Sequence, residues 1–281
     1  MVKNRMPNED EAAERLIGTL SSESKSGFEE IAGNPLMLTM LISIFISNGH
    51  HIVSNKTELY EKGIQTIVGR TDKLRAGLAP EEQTDVMMHL QQLAFHSHIR
   101  TGERRIFTAK VVCEEKWISG WSASILPALM AGRLPILSSM GLNANDEEEW
   151  RFTHLTYQEF LTAREVVKRV TESAFSADKV REIFGKPHET FTDPRWQVVL
   201  PMCADLLTPK RGDATQLAAF AAVLFGGQID ARRVSVAKAN SAAVTLSSRV
   251  RKSSTALTCG VEGCSQMHVS LRANSDSCEI A

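Results

Sequence analysis

The sequence is short of the features that mark several large protein classes. Its 281 residues include only five cysteines, two tyrosines and four tryptophans. The cysteines are too few and too scattered for the disulfide framework of a small secreted protein, so reduced thiols are expected. The longest dense apolar run, residues 36–46, is about half the length that a membrane-spanning helix needs, and the N-terminus has no signal-peptide pattern. These absences predict a cytoplasmic protein without a membrane partner.

An excess of one charge is also missing. Thirty-two basic residues stand against thirty-three acidic residues, which gives a formal net charge of -1. A protein that binds nucleic acid through phosphate contacts usually carries a basic excess or a basic patch. The overall balance therefore predicts no nucleic-acid partner.

A phosphate-binding loop is absent as well. No Gly-x-x-x-x-Gly-Lys-[Ser/Thr] motif occurs, and no apolar run ends in paired acidic residues that could hold magnesium. Gly185 and Lys186 are followed by Pro187, and the upstream glycine and the hydroxyl side chain are lacking. The sequence predicts that the chain alone is not an enzyme and binds no cofactor in isolation.

Apolar residues recur at helical spacing over much of the chain. This periodicity predicts helices over 10–20, from Thr57 to Val68 and from Pro80 to Ala94, and a helical pattern over 104–130 that includes Phe107. The run from Pro35 to Ile46 begins with a helix-starting proline and has apolar residues on every face. That helix is expected to be buried all round.

The pattern changes between residues 137 and 153. Two short segments, 137–142 and 149–153, flank Asn143 to Asp146, whose residue types are typical of a turn. A β-hairpin is expected there, followed by a helix over 157–170. Helices beside a small hairpin form the outline of a winged-helix domain. A further helical stripe covers 196–207.

These patterns predict a mainly α fold built from small subdomains. A helical domain is expected at 9–78, a winged-helix domain at 81–170 and part of a second helical domain at 171–228. No aromatic residue follows Phe225, and alanine and serine dominate what remains. Such a composition buries too little apolar area to offset chain entropy, so 229–281 is expected to be a disordered, low-complexity tail.

Three segments, in this order, resemble the NACHT branch of the signal-transducing NTPases with numerous domains. The first is GNPLMLTML at 33–41 with ELYE at 58–61, which is similar to the helical domain that follows the nucleotide fold. The second is FTHLTYQEFLTA at 152–163, which is similar to the winged-helix signature. The third is DPRWQVVL at 193–200, which is similar to the start of the second helical domain.

The resemblance implies two nucleotide contacts. In that family the proline at the position of Pro35 packs against adenine, and the histidine at the position of His154 contacts the β-phosphate of ADP. Each residue also has a simpler interpretation. Pro35 fits an ordinary helix start, and His154 fits a histidine bonded to backbone at a helix N-terminus or in the core.

The resemblance also implies a regulatory function. In the family architecture these domains hold ADP against the nucleotide fold and swing away when exchange permits oligomerisation. Without a phosphate loop, the chain is expected to be a fragment of a larger protein, with an upstream nucleotide-binding domain and other subunits as partners and ADP or ATP as the nucleotide. Two alternatives remain open. One is a nucleotide-independent helical adaptor, and the other is a winged-helix DNA binder, which the acidic residues at 114–115 and 146–149 disfavour.

Other chemical candidates are weaker. His96 and His98 lie two residues apart on a predicted helix and point to different faces, so they make a poor metal pair. Gln158 and Glu159 fit structural roles better than catalytic ones. A loose zinc-like pattern occurs in the predicted tail, with spacings that differ from compact zinc sites, and its residues are Cys259, Cys264, His268 and Cys278.

Overall fold

A computed structural model of the chain describes residues 10–21, 33–53, 56–69, 78, 80–100, 105–118, 125–185, 190, 193–208 and 215–224. These residues form helices and one three-stranded antiparallel sheet. The predicted mainly α fold is confirmed at this level. The predicted disordered tail, with its cysteine and histidine pattern, lies outside the described residues.

The described elements follow one another from the N-terminus to the C-terminus. They are α1 (Asp10–Ser21), α2 (Pro35–Ser47), α3 (Lys56–Gly69), α4 (Pro80–Ile99), β1 (Ile106–Thr108), α5 (Ala109–Glu114), α6 (Leu126–Met130), β2 (Leu137–Leu142), β3 (Glu148–Phe152), α7 (Leu155–Thr171), α8 (Ala177–Phe184), α9 (Trp196–Leu207) and α10 (Thr215–Leu224).

Helix α2 differs from its prediction in burial. The helix forms where expected, but Ile46 is 40% exposed and Ser43 is also exposed, so the prediction of burial all round was wrong. The reason is that α2 packs on one side only, chiefly against α3. Gly63 in α3 lies so close to the Met40 side chain that an added β-carbon would overlap its methyl group.

Strand β1 corrects a second prediction. Phe107 was expected on a helix, but it lies in β1 opposite Trp150 of β3. Phe107 is 1% exposed, and its ring lies 6.5 Å from the ring of Phe152. A three-residue strand is too short to show a period of two, so its identity depends on the partner strand.

The predicted hairpin is confirmed, and it forms part of a larger sheet. Strands β2 and β3 pair antiparallel with Leu137 opposite Phe152, and the strand order in the sheet is β1-β3-β2. The register shifts between Ser139 and Gly141, where Gly141 has a φ of +95° that favours glycine. The sheet packs its apolar face against the helices through Trp150 and Phe152.

Helix α7 is the main packing element of the described chain. It contacts α4 and α9 extensively and also touches α3, α8 and β3. Phe160, Leu161, Ala163, Val166 and Val170 on this helix are all fully buried. Burial of a phenylalanine, leucine or valine side chain contributes roughly 1.5–3 kcal/mol, which is why a 17-residue helix can hold its neighbours together.

The C-terminal helices complete the same core. The ring of Trp196 in α9 meets the ring of Phe184 in α8 at 4.7 Å, and Phe184 meets Phe220 in α10 at 5.8 Å. Cys203 in α9 is a buried free thiol that faces the carbonyl oxygen of Ala163 in α7, and burial raises its pKa. Among the described helices, none has the length and hydropathy of a membrane span.

Candidate functional site

His154 stands immediately before helix α7, at the N-cap position. Its side chain is exposed and makes no capping hydrogen bond to the backbone of the helix. The ring meets the ring of Tyr157 edge-on, with 5.3 Å between the centroids. The backbone N–H of Tyr157 donates to the His154 carbonyl oxygen at 3.1 Å, and this end of α7 carries the positive end of the helix dipole.

Tyr157 connects this helix start to helix α2. Its phenol is 3% exposed, and its hydroxyl donates a hydrogen bond of 3.4 Å to the sulfur of Met40. Burial raises the pKa of Tyr157 to about 12, so the hydroxyl remains a donor at any physiological pH. The contact fixes the start of α7 against the middle of α2.

Pro35 is the first residue of helix α2, and it is exposed. The preceding Asn34 caps the helix, since its side-chain oxygen accepts hydrogen bonds from the backbone N–H groups of Leu36 at 3.0 Å and Met37 at 3.3 Å. Pro35 lies about 7.5 Å along the helix axis from Met40. The structure therefore places Pro35 and His154 at the exposed starts of two helices that meet through Tyr157 and Met40.

Gln158 and Glu159 follow in the first turns of α7, and both are buried. The amide nitrogen of Gln158 donates to the Ser97 hydroxyl of α4 at 3.3 Å. Burial raises the pKa of Glu159 to about 7, and the positive charges of Arg105 and Lys56 oppose that shift. Glu159 is therefore partly protonated near neutral pH.

Replacing Glu159 by glutamine is expected to remove a pH dependence of stability. Folding raises the pKa of this carboxyl from 4.5 to about 7, so its contribution favours folding at low pH and is lost as the pH rises towards 7. One pKa unit corresponds to about 1.4 kcal/mol, so the free energy of unfolding is expected to fall by roughly 3 kcal/mol between pH 4.5 and 7. Urea denaturation at several pH values between 4.5 and 8 measures it.

The matched control for this experiment is Glu11→Gln, which neutralises an exposed carboxylate on α1. It is expected to leave the pH profile of the parent chain unchanged. If the Glu159→Gln variant loses stability between pH 4.5 and 7 as steeply as the parent does, the dependence comes from other groups.

His96 and His98 are held by separate partners, as their spacing predicts. The ring of His98 pairs with the carbonyl oxygen of Arg195 at 3.0 Å, whereas His96 stacks on Trp117 at 5.9 Å. Burial, and then the charge of Arg169, lowers the pKa of His96 to about 4. Within the described part of the chain, no group of histidine, cysteine and acidic side chains has the arrangement of a metal site.

Two acidic side chains of the hairpin have partners in the structure. Lys110 at the start of α5 pairs with Glu147 of the hairpin turn at 3.1 Å, and the hydrogen bond from Lys110 lowers the pKa of Glu147. Glu148 of β3 accepts a bond from the Ser139 hydroxyl at 2.8 Å. The absence of a nucleic-acid partner stays a prediction from the overall charge.

Two further polar residues, Gln92 and Glu165, are not marked by any sequence pattern. Gln92 of α4 and Glu165 of α7 lie on the wall of one cavity together with Lys179, Glu182 and Ile183 of α8. Both carry a buried side-chain oxygen that has no hydrogen-bond partner. No motif marks Gln92 and Glu165, because they come from two helices and occupy ordinary helical positions.

No protein-family model matches this chain, and no curated protein matches it. The resemblance to NACHT proteins therefore rests on the residue patterns in the sequence alone.

Proposed function

We propose that the chain is the regulatory part of a NACHT-type signal-transduction NTPase, the part that holds ADP and keeps the protein inactive. The observation that carries this proposal is the pairing of α2 and α7 through Met40 and Tyr157. This contact joins the helix that begins at Pro35 to the helix that begins beside His154. Pro35 and His154 are both exposed.

The order of elements around the sheet supports a winged-helix assignment for the middle of the chain. Helix α4, strand β1, helices α5 and α6 and the β2–β3 hairpin follow in that order, with strand order β1-β3-β2. Three helices beside a small antiparallel sheet is the arrangement that the NACHT resemblance implies for residues 81–170.

The chemistry at the start of α7 suits a phosphate. The exposed imidazole of His154 stands at the N-terminus of α7, where the helix dipole favours negative charge. A charge-assisted hydrogen bond of this kind contributes roughly 1.5–3 kcal/mol. Pro35 supplies a flat apolar surface for a base, and the remaining phosphate contacts belong to an upstream nucleotide fold.

Regulation then follows from the two states that a bound nucleotide selects. With ADP bound, the contact from His154 to the nucleotide holds the closed arrangement. Loss of that contact releases helices α2 and α7 from the nucleotide fold. The proposed role of this chain is to stabilise the closed state, and hydrolysis is left to the upstream domain.

The test is His154→Ala in a protein in which this chain is joined to its upstream nucleotide fold. Loss of one contact of roughly 1.5–3 kcal/mol shifts a closed-to-open equilibrium by about ten- to hundredfold. ADP release is expected to accelerate by that factor, and the oligomeric fraction without stimulus is expected to rise. Release of a fluorescent ADP analogue and light scattering measure the two effects.

His51→Ala is the matched control, because His51 is also exposed but lies beyond the opposite end of α2 from Pro35. It is expected to leave ADP release unchanged. Equal release rates for the parent, His51→Ala and His154→Ala would overturn the phosphate contact. A full-length transcript that encodes no phosphate loop upstream would favour the alternative function, a nucleotide-independent helical adaptor.

A further inference from the structure

A cavity of about 580 Å³ lies where the end of helix α4 meets α7, α8 and the start of α9. It is separate from the proposed nucleotide contacts, since Arg169 on its wall lies about 22 Å along α7 from His154. Small-molecule sites in proteins have volumes of about 300–1,000 Å³. The cavity is therefore large enough for a ligand with two fused rings.

Ring side chains form much of the cavity wall. Phe95 and His96 come from α4, Phe184 from α8 and Trp196 from α9. Burial, and then the charge of Arg169, lowers the pKa of His96 to about 4, so its ring is uncharged at neutral pH. Phe95, Phe184 and Trp196 are each at most 5% exposed. Because aromatic rings pack favourably edge to face or offset, this wall suits a flat aromatic ligand.

The charged groups on the described part of the wall balance one another. Two arginines, Arg169 and Arg195, stand against two carboxylates, Asp193 and the exposed Glu182. Nε of Arg195 donates to Oδ2 of Asp193 at 2.5 Å, and Nε of Arg169 donates to Oε1 of Glu165 at 2.7 Å. A charged ligand would lose hydration without gaining a buried, unpaired counter-charge from these groups, so the wall favours a neutral ligand.

One hydrogen-bond donor on the wall has no partner. The indole N–H of Trp196 makes no hydrogen bond to a described residue, whereas the indole N–H of Trp117 donates to Glu115 at 2.7 Å. Trp196 is 3% exposed, but its Nε1 atom is not sealed from solvent, unlike the four unpaired buried atoms in the described part of the chain. Buried indole N–H groups usually find an acceptor, and the cavity is the opening that this ring borders.

We propose that this cavity binds a neutral planar aromatic molecule that accepts a hydrogen bond from the indole N–H of Trp196. A ring nitrogen or a carbonyl oxygen of the ligand supplies the acceptor, and its ring carbons pack against Phe95 and Phe184. The ligand joins α4, α8 and α9. The site needs no upstream nucleotide fold, so it is independent of the proposed regulatory function.

The test compares quinoline with N-methylquinolinium, which has the same rings but a blocked nitrogen and a positive charge. Each probe is titrated near neutral pH into the 281-residue chain with isotope-labelled tryptophans, and the indole N–H signals are followed by NMR. Quinoline is expected to bind with a dissociation constant of about 1 mM or lower and to shift the signal of Trp196. N-Methylquinolinium is expected to bind at least about tenfold more weakly, because it cannot accept the hydrogen bond and its charge loses hydration.

Trp196→Phe keeps a ring on the wall and removes the indole donor. It is expected to weaken quinoline binding about three- to tenfold, which is the effect of losing one neutral hydrogen bond. Val198→Ala is the matched control on α9, because Val198 is 38% exposed and lies outside the cavity wall, and it is expected to leave the affinity unchanged. The indole signal of Trp150 in β3, also outside the wall, is expected to stay in place.

Each result either supports the site or removes it. Absence of saturable binding up to roughly 10 mM quinoline would overturn the site, since a two-ring ligand enclosed by an aromatic wall binds more tightly than that. Equal or tighter binding of N-methylquinolinium, or a quinoline complex in which the Trp196 signal does not move, would also overturn it. So would unchanged quinoline binding by a folded Trp196→Phe variant. The comparison of probes on the parent chain decides the question even if Trp196→Phe does not fold.

Discussion

Purified as its 281 residues, the chain is expected to release no phosphate from Mg-ATP or Mg-GTP above background and to bind either nucleotide weakly at most. Tight binding by phosphate-loop NTPases depends on backbone N–H groups and a lysine around the β- and γ-phosphates, with magnesium held by a hydroxyl and an acidic side chain. The sequence contains none of these elements. Pro35 and His154 offer only two peripheral contacts, which do not offset the several kcal/mol of entropy lost on binding.

Calorimetry with Mg-ATP and Mg-ADP, together with a phosphate-release assay, measures this result. His154→Ala serves as a comparison, because the isolated variant is expected to behave like the parent when the phosphate loop is missing. A micromolar dissociation constant, or turnover that a substitution within these residues abolishes, would reveal a nucleotide site that the patterns do not show.

The second large effect concerns stability. Phe160→Ala is expected to lower the free energy of unfolding by about 3–5 kcal/mol, because it removes a ring from the most crowded part of the core. Phe160 is fully buried in α7, and its ring lies 5.6 Å from the ring of Tyr60 in α3. The lost contacts and the cavity left behind both contribute to the change.

Chemical denaturation followed by circular dichroism measures the loss. Leu155→Ala is the matched control on the same helix, since Leu155 is 36% exposed. That substitution is expected to cost less than about 1 kcal/mol, as is usual for a surface position. Similar losses for the two variants would mean that α7 is not the packing centre of the protein.

The proposed nucleotide contact depends on helix α7. His154 stands at the start of this helix, which is held along its length by buried residues that pack against α4 and α9. A substitution such as Phe160→Ala is therefore expected to disturb the position of His154, whereas His154→Ala leaves the core unchanged.

The helices with strong periodicity were predicted well. The apolar patterns at 10–20, 157–170 and 196–207 correspond to α1, α7 and α9. Apolar residues at helical spacing come together on one face only when the segment is a helix. The hairpin was also predicted, since turn residues separate its strands. Phe107 was assigned to a helix because a three-residue strand carries no period of its own, and its partner Trp150 is 43 residues away in the sequence.

The candidate site was predicted only in part. The residues Pro35 and His154 came from a resemblance. The helix start at Pro35 follows from proline chemistry and the Asn34 cap, whereas no side-chain cap marks the start beside His154. The hydrogen bond from Tyr157 to Met40 joins residues far apart in the chain, so no local pattern contains it. The cavity at Gln92 and Glu165 was not predicted at all.

By itself, then, the sequence determined the mainly helical fold, the hairpin and the lack of a phosphate loop, because periodicity, turn chemistry and loop motifs act over a few neighbouring residues. Tertiary structure alone decided that α2 keeps one exposed face and that Tyr157, at the start of α7, contacts Met40 in the middle of α2. It also left buried oxygens of Gln92 and Glu165 without hydrogen-bond donors. The physical reason is that burial and hydrogen-bond pairing depend on which distant segments meet. Among the described residues, many of these contacts involve helix α7.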